Sequence, residues 1–202
     1  MKNLFKSLRK PKSQEFITVV SGLPISGTSM MIKMLEAGGL PPLTGNLRAA
    51  DDDNPKGYYE LERVKKMPDG VISWVEDAKG MAVKVISALL EHLPPAYTDR
   101  VLFMQRKIDE ILASQKQMLV RSGKSTDQVS DEQLSEMYGK HLAKVNAWLD
   151  EQTKFSVIYL DYNAMLVDPT KYARQVNQFL DNSLNTQEMA GIVDPNLYRQ
   201  RK

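Results

Sequence analysis

The sequence contains no cysteine and only two histidines among its 202 residues. Disulfide bonds, thiolate metal sites and a thiol nucleophile are therefore excluded. The two histidines, His92 and His141, lie in separate segments, which disfavours a histidine-based metal cluster. No apolar run approaches the roughly 20 residues that a membrane-spanning helix needs. A net charge of +2 with mixed signs argues against a dedicated nucleic-acid-binding protein, and we expect a cytoplasmic one.

The two ends of the chain differ from its middle in composition. Residues 1–12, MKNLFKSLRKPK, carry five basic and three large apolar side chains. We predict a basic arm over residues 1–14, which is either frayed or an amphipathic helix that contacts a membrane surface through Leu4, Phe5 and Leu8. Because 42% of the residues are hydrophobic, the chain can build a full core, and residues 15–202 are predicted to form a single domain.

Short apolar runs alternate with helical patterns from residue 16 onward. The apolar runs, which predict buried strands, cover residues 16–20, 81–86, 101–104 and 155–160. Helices are predicted over residues 28–37, 108–120 and 131–152, and from about Pro169. This alternation predicts an α/β fold of three layers, in which helices cover both faces of a central parallel sheet. Ligands of such folds bind beyond the carboxyl ends of the strands.

A glycine-rich loop follows the first predicted strand. Residues 22–29, GLPISGTS, have the glycine spacing of a P-loop. Glycines let backbone N–H groups turn toward an anion, and the helix that follows adds its N-terminal dipole. Thr28 occupies the place of the lysine that nucleoside triphosphatases need on the β- and γ-phosphates. The loop therefore favours a phosphate ligand and disfavours ordinary ATP or GTP hydrolysis.

Three motifs in this order resemble those of the sulfotransferases that use 3′-phosphoadenosine 5′-phosphosulfate (PAPS). Residues 24–29, PISGTS, resemble the loop that holds the 5′-phosphosulfate. Arg106 follows a predicted strand and Ser114 lies eight residues later, which resembles the pair that binds the 3′-phosphate, with Asp109 at the acidic position between them. Residues 157–180 resemble the family's late strand, acidic turn and Asp-Pro-initiated helix. Taken alone, Arg106 could also be an ordinary surface arginine.

The resemblance implies a P-loop NTPase-like fold and a sulfotransferase activity. The enzymes of this family move a sulfuryl group from PAPS to a hydroxyl or amine acceptor without a metal ion. Carried over by motif, the nucleotide-binding residues are Ser26, Gly27, Thr28, Ser29, Arg106 and Ser114. The acceptor itself cannot be deduced from any motif. The basic residues Arg199, Arg201 and Lys202 either close over the 3′-phosphate or form a frayed tail.

Ile25 departs from the family pattern, because the position is usually basic and stabilises the leaving oxygen. Loss of such a cation costs on the order of 2–4 kcal/mol of transition-state stabilisation. Lys84, within MAVKVI, resembles the family's strand-borne lysine, and we predict that it replaces the missing cation. Alternatively, Lys84 is a strand-end lysine that extends to solvent. Glu60 is the predicted base for the acceptor, because related enzymes carry a similar stretch after the first helix. It could equally be a solvent-facing glutamate at a helix start.

Two other functions stay open. A divergent P-loop kinase is one, because VIYLD at residues 157–161 is similar to a Walker B strand that ends in Asp161. A non-catalytic relative that binds the desulfated nucleotide, PAP (adenosine 3′,5′-bisphosphate), is the other, and Ile25 supports it. Tyr58, Tyr59 and Trp74 are either acceptor-pocket residues or core aromatics.

Overall fold

The protein contains a four-stranded, wholly parallel β-sheet. A computed structural model describes residues 16–45, 59–97, 99–123 and 129–194. The strands are β1 (Ile17–Gly22), β2 (Ala82–Lys84), β3 (Asp99–Gln105) and β4 (Phe155–Asp161). Each strand overlaps one of the four apolar runs in the sequence, so the predicted parallel sheet is confirmed.

The strand order, β2-β1-β3-β4, decides where a ligand can bind. Strand β1 lies between β2 and β3, with Val20 paired to Lys84 on one side and to Leu102 on the other. The chain leaves β1 toward β2 and then crosses to β3 on the opposite side of β1. The carboxyl end of β1 is therefore a topological switch point, where α/β sheets leave a crevice for ligands. Residues 22–29 lie at this end.

Helices cover both faces of the sheet. The α-helices of the described residues are α1 (Thr28–Ala37), α2 (Glu62–Lys65), α3 (Trp74–Asp77), α4 (Ile108–Arg121), α5 (Asp131–Asp150), α6 (Tyr162–Val167), α7 (Pro169–Phe179) and α8 (Thr186–Gly191). Helices α1 and α6–α8 pack on one face, against Val20, Leu102 and Leu160. Helices α2, α3 and α5 and a 3-10 segment at Ser87–His92 pack on the other. The three predicted layers are thus confirmed.

The short helices are where structure and sequence prediction differ. Helices α2, α3, α6 and α8 have four to six residues each, which is too short for a helical repeat of apolar positions to be recognised. The four longer helices were predicted, and α5 ends at Asp150, two residues before the predicted end. Within the described ranges, no helix is both long and apolar enough to cross a membrane. The predicted basic arm, residues 1–14, lies outside those ranges.

Candidate functional site

The glycine-rich loop leads directly into the N-terminus of α1. Gly27 is the N-cap residue, with φ 98°, and no side chain caps the helix. The N–H groups of the first helical turn have no carbonyl partner within the helix. They point away from the helix body together with the positive end of its dipole, which makes this end of α1 suited to an anion.

Both glycines of the loop are required by close approach of their neighbours. A Cβ on Gly22 would lie 2.6 Å from the carbonyl oxygen of Met104, and one on Gly27 would lie 2.4 Å from the ring of Tyr162. Ser26, between them, is fully buried, and its Oγ has no hydrogen-bond partner among the described residues. A tightly folded loop with an orphaned hydroxyl suits an anionic ligand, whose oxygens would accept hydrogen bonds from it.

Ile25 is the strained residue of the loop. Its φ is 67°, in the left-handed region that a β-branched side chain rarely adopts. Its backbone carbonyl accepts a hydrogen bond from Nη1 of Arg106 at 3.0 Å. The side chain can neither donate a hydrogen bond nor carry charge, so any cation that acts on a ligand of this loop must come from another element.

Lys84 supplies a cation next to the loop. It is the last residue of β2, and its Nζ donates a hydrogen bond to Oγ of Ser29 at 3.3 Å. The side chain is half-buried, while Val83 and Val85 beside it are fully buried. Lys84 therefore extends along the edge of the sheet to the first turn of α1 rather than into bulk solvent.

Arg106 follows β3 and lies in a buried polar network. Its Nε donates to Glu110 at 3.1 Å, and both side chains are nearly inaccessible, at 7% and 0% exposed. The amide of Asn163 donates to both carboxylate oxygens of Glu110, at 2.8 and 3.0 Å. The centre of the Tyr162 ring lies 4.8 Å from the guanidinium carbon of Arg106. Burial raises the pKa of Tyr162, while the Arg106 guanidinium opposes this rise and the Glu110 carboxylate adds to it.

The acidic partner of Arg106 is Glu110, next to the Asp109 that the motif places between Arg106 and Ser114. Asp109 is exposed, whereas Glu110 is the buried carboxylate in contact with Arg106. A helix places residues four apart on the same face, so Glu110 and Ser114 share one face of α4 with Arg106 just ahead of it. Ser114 is half-buried, one helical turn beyond Glu110.

Glu60 lies on the segment that precedes α2. Its carboxylate is 2.9 Å from Nζ of Lys65, and its side chain is 26% exposed. The hydrogen bond to Glu60 raises the pKa of Lys65. The backbone carbonyl of Glu60 accepts from the N–H of Gly45, which connects this segment to the chain that leaves α1.

A hydrogen-bonded serine–histidine pair was not expected from the sequence. Oγ of the buried Ser87 lies 2.8 Å from Nε2 of His141, which connects the segment after Lys84 to α5. The pair lines a cavity of about 190 Å³, together with Leu90, Val145 and Trp148 among others. The two residues are 54 positions apart in the chain. No local sequence pattern could reveal this contact.

The remaining candidate residues either pack in the core, bond to neighbouring side chains or cap a helix, or they lie outside the described ranges. Trp74 is fully buried in the core. The hydroxyl of Tyr59 donates to Glu36 at 2.7 Å, and burial together with that carboxylate raises the pKa of Tyr59 to about 12. The carboxylate of Asp161 accepts from the N–H of Ala164 and caps α6. The residues outside the described ranges are Tyr58, Arg199, Arg201 and Lys202.

Solved structures with the same fold include two sulfotransferases. The sulfotransferase STF1 from Mycobacterium tuberculosis H37Rv matches 89% of this chain over 71% of its own length, with a TM-score of 0.59 and 17% identity. The sulfotransferase domain of the Synechococcus PCC 7002 olefin synthase matches 95% of this chain over 85% of its own, with a TM-score of 0.50 and 14% identity. No protein-family model and no curated protein matches the sequence. The chain therefore shares the fold of these sulfotransferases, as its motifs predicted.

Proposed function

We propose that the protein is a sulfotransferase that moves a sulfuryl group from PAPS to a hydroxyl or amine acceptor without a metal ion. The observation that carries this proposal is the loop at the switch point, where a lysine from β2 contacts the first turn of α1. A loop that offers backbone amides and hydroxyls, with its cation on the neighbouring strand, suits a phosphosulfate better than the triphosphate and magnesium of a kinase.

The 5′ end of the nucleotide is assigned to the loop and to Lys84. The N–H groups of the first turn of α1 and the hydroxyls of Ser26, Thr28 and Ser29 would hold the phosphate oxygens. As the bond from sulfur to the bridging oxygen breaks, negative charge grows on that oxygen. Lys84, already within hydrogen-bond distance of Ser29, would stabilise this charge.

The 3′-phosphate is assigned to Arg106 and Ser114. The two residues lie on either side of the buried Glu110 in the sequence, so the Arg106 guanidinium and the Ser114 hydroxyl would approach a phosphate along the same side of α4. Charge-assisted hydrogen bonds of this type are stronger than neutral ones. Selection of PAPS over adenosine nucleotides that lack a 3′-phosphate would come from this pair.

Two side chains are candidates for the base that takes the acceptor proton. Glu60 is one, although it would have to leave its ion pair with Lys65 to act. His141 is the other. It lines a cavity and contacts Ser87, which lies three residues after Lys84 in the chain. Histidine is suited to this task near neutral pH, and Ser87 fixes the orientation of the ring.

Transfer of radiolabel from [³⁵S]PAPS tests this function. Phenol, alcohol and amine acceptors are offered in buffer that contains EDTA, to wild type and to Glu60→Gln and His141→Gln variants. We expect a labelled product from wild type. Whichever of the two variants lacks the catalytic base should transfer the label about 100-fold more slowly. If no acceptor is labelled while ATP is consumed in magnesium, the protein is a kinase and the proposal is wrong.

A non-catalytic PAP-binding protein is the second candidate function, and the geometry of Ile25 is the observation that favours it. A strained apolar residue stands where a charge would assist departure of the leaving group. This function predicts tight binding of PAP with no transfer to any acceptor, so binding and transfer measured on the same preparation separate the two candidates.

A further inference from the structure

We propose that Arg106 is a positioning residue for the loop of residues 22–29, and that it sets the affinity for a 5′-phosphate even in nucleotides with no 3′-phosphate. The inference rests on the proposed function in one respect, since it takes this loop to hold the 5′-phosphate. It goes beyond that function because it gives Arg106 a second role, at the opposite end of the nucleotide.

The contact between Arg106 and Ile25 is made through the backbone. Nη1 donates to the carbonyl oxygen of Ile25 at 3.0 Å, across 81 positions of sequence. Ile25 has φ 67°, and a β-branched residue persists in this conformation only where the surroundings hold it there. The Arg106 hydrogen bond holds the carbonyl side of the Ile25–Ser26 peptide plane, and the N–H of the same plane donates to the carbonyl of Leu23 at 3.2 Å. That plane determines how the following N–H groups of the loop are aimed.

Arg106 is itself held from its other sides. Glu110, fully buried on α4, accepts from Nε, and its oxygens are fixed in turn by the amide of Asn163 on α6. The ring of Tyr162, also on α6, lies 4.8 Å from the guanidinium carbon. These contacts leave the guanidinium little rotational freedom, so Arg106 is a rigid support for the Ile25 carbonyl.

Tyr162 connects the same network to the first turn of α1. A Cβ on Gly27 would lie 2.4 Å from the Tyr162 ring, so the ring packs directly on the N-cap of the helix. Arg106 and Tyr162 thus support the loop at two points, Ile25 and Gly27. Without the guanidinium, the Ile25 carbonyl loses its donor and Glu110 becomes a buried carboxylate without its ion-pair partner. The anion-binding N–H groups then lose their fixed geometry.

The binding of two ligands by an Arg106→Gln variant tests this role. PAP and 5′-AMP differ only by the 3′-phosphate. Their affinities are measured by calorimetry, after circular dichroism has been used to determine the fraction of folded protein. We expect the affinity for 5′-AMP to fall at least tenfold, together with that for PAP. Arg106→Lys keeps the charge but not the forked geometry. We expect this variant to weaken the binding of 5′-AMP at least fivefold, and it replaces the glutamine variant in the test if that variant does not fold.

Arg100→Gln is the matched control. Arg100 lies on β3, the strand that Arg106 follows, and is likewise held by a carboxylate, Asp181 at 2.9 Å, but at the other end of the strand. We expect this variant to lower the melting temperature and to leave both affinities within twofold of wild type.

The inference is overturned if Arg106→Gln weakens the binding of PAP but leaves the affinity for 5′-AMP within twofold of wild type, since Arg106 would then act on the 3′-phosphate alone. Failure of the proposed function gives a different result. In that case wild type binds PAP no more tightly than 5′-AMP, while the loss of 5′-AMP binding in the variant still reports on the loop. If wild type binds neither nucleotide, both proposals are wrong.

Discussion

Ile25 is part of the loop of residues 22–29, and Lys84 contacts the same loop from β2. The resemblance to sulfotransferases predicts a basic side chain at position 25, and the chain has an isoleucine whose carbonyl, not side chain, is engaged. Lys84 could be singled out from the sequence because a lysine among apolar strand residues is costly unless its ammonium has a partner. The partner, Ser29, became visible only in the structure, because it lies 55 positions away.

Replacement of Lys84 by Met tests which residue carries the charge. Methionine keeps the apolar stem and removes the ammonium, so we expect the rate of sulfuryl transfer to fall at least 100-fold, equivalent to about 3 kcal/mol. Lys79→Met is the control, because Lys79 forms an exposed ion pair with Glu76, and its transfer rate should match wild type. Equal rates for Lys84→Met and wild type would assign the cation elsewhere.

Asp99 gives a prediction about pH and stability. It is buried, one carboxylate oxygen has no partner among the described residues, and burial raises its pKa from 3.8 to about 7. Between these two values the folded protein keeps a proton that the unfolded chain has released. Stability therefore falls as the pH rises from about 4 to 7, and the loss persists above pH 7.

Asp99→Asn should remove this dependence. We expect the variant to be more stable than wild type at pH 8, by an amount on the order of 3 kcal/mol, and to have no advantage at pH 4. Urea unfolding at both pH values measures the difference. A variant that is equally stabilised at both would show that ionisation of Asp99 is not the cause.

At the scale of elements, long helices and apolar strands could be predicted, and contacts between elements could not. The N-terminus of α1 at Thr28 was predicted because the glycine-rich loop ends there. Helix α6 begins directly after β4, so no turn residues between them marked its start in the sequence. Its residues Tyr162 and Asn163 complete the network around Arg106. The acid of that network, Glu110, was not predicted, because the face of α4 that is buried depends on how the helix packs.

Substitution of Gly27 by Ala tests the packing of α6 on α1. The alanine would have an unfavourable φ and a Cβ 2.4 Å from Tyr162, so we expect a loss of about 3 kcal/mol of stability, with weaker binding of PAP. Gly39→Ala is the matched control, because Gly39 has a similar φ of 102° and open space around its Cα. It should lose about 1–2 kcal/mol and no PAP affinity. Similar losses in both variants, by thermal unfolding, would mean that the Tyr162 contact contributes little.

At the scale of the whole molecule, the class of fold followed from alternation of strands and helices, but the strand order did not. The order β2-β1-β3-β4 places the loop of β1 between Lys84 on one neighbouring strand and Arg106 after the other. Both residues were identified from the sequence, Arg106 by its motif and Lys84 by its place in an apolar strand. Their convergence on one loop depends on tertiary packing, as does the contact between Ser87 and His141, and neither is encoded in local sequence.

Calorimetric titration of the wild-type protein with PAP, 5′-AMP and ATP tests whether the loop of residues 22–29 holds PAPS. We expect PAP to bind without magnesium and at least tenfold more tightly than 5′-AMP, because Arg106 and Ser114 would add contacts to the 3′-phosphate. ATP with magnesium should bind more weakly than PAP. Tighter binding of magnesium–ATP than of PAP, or no heat with PAP at all, would contradict the assignment of this loop to PAPS.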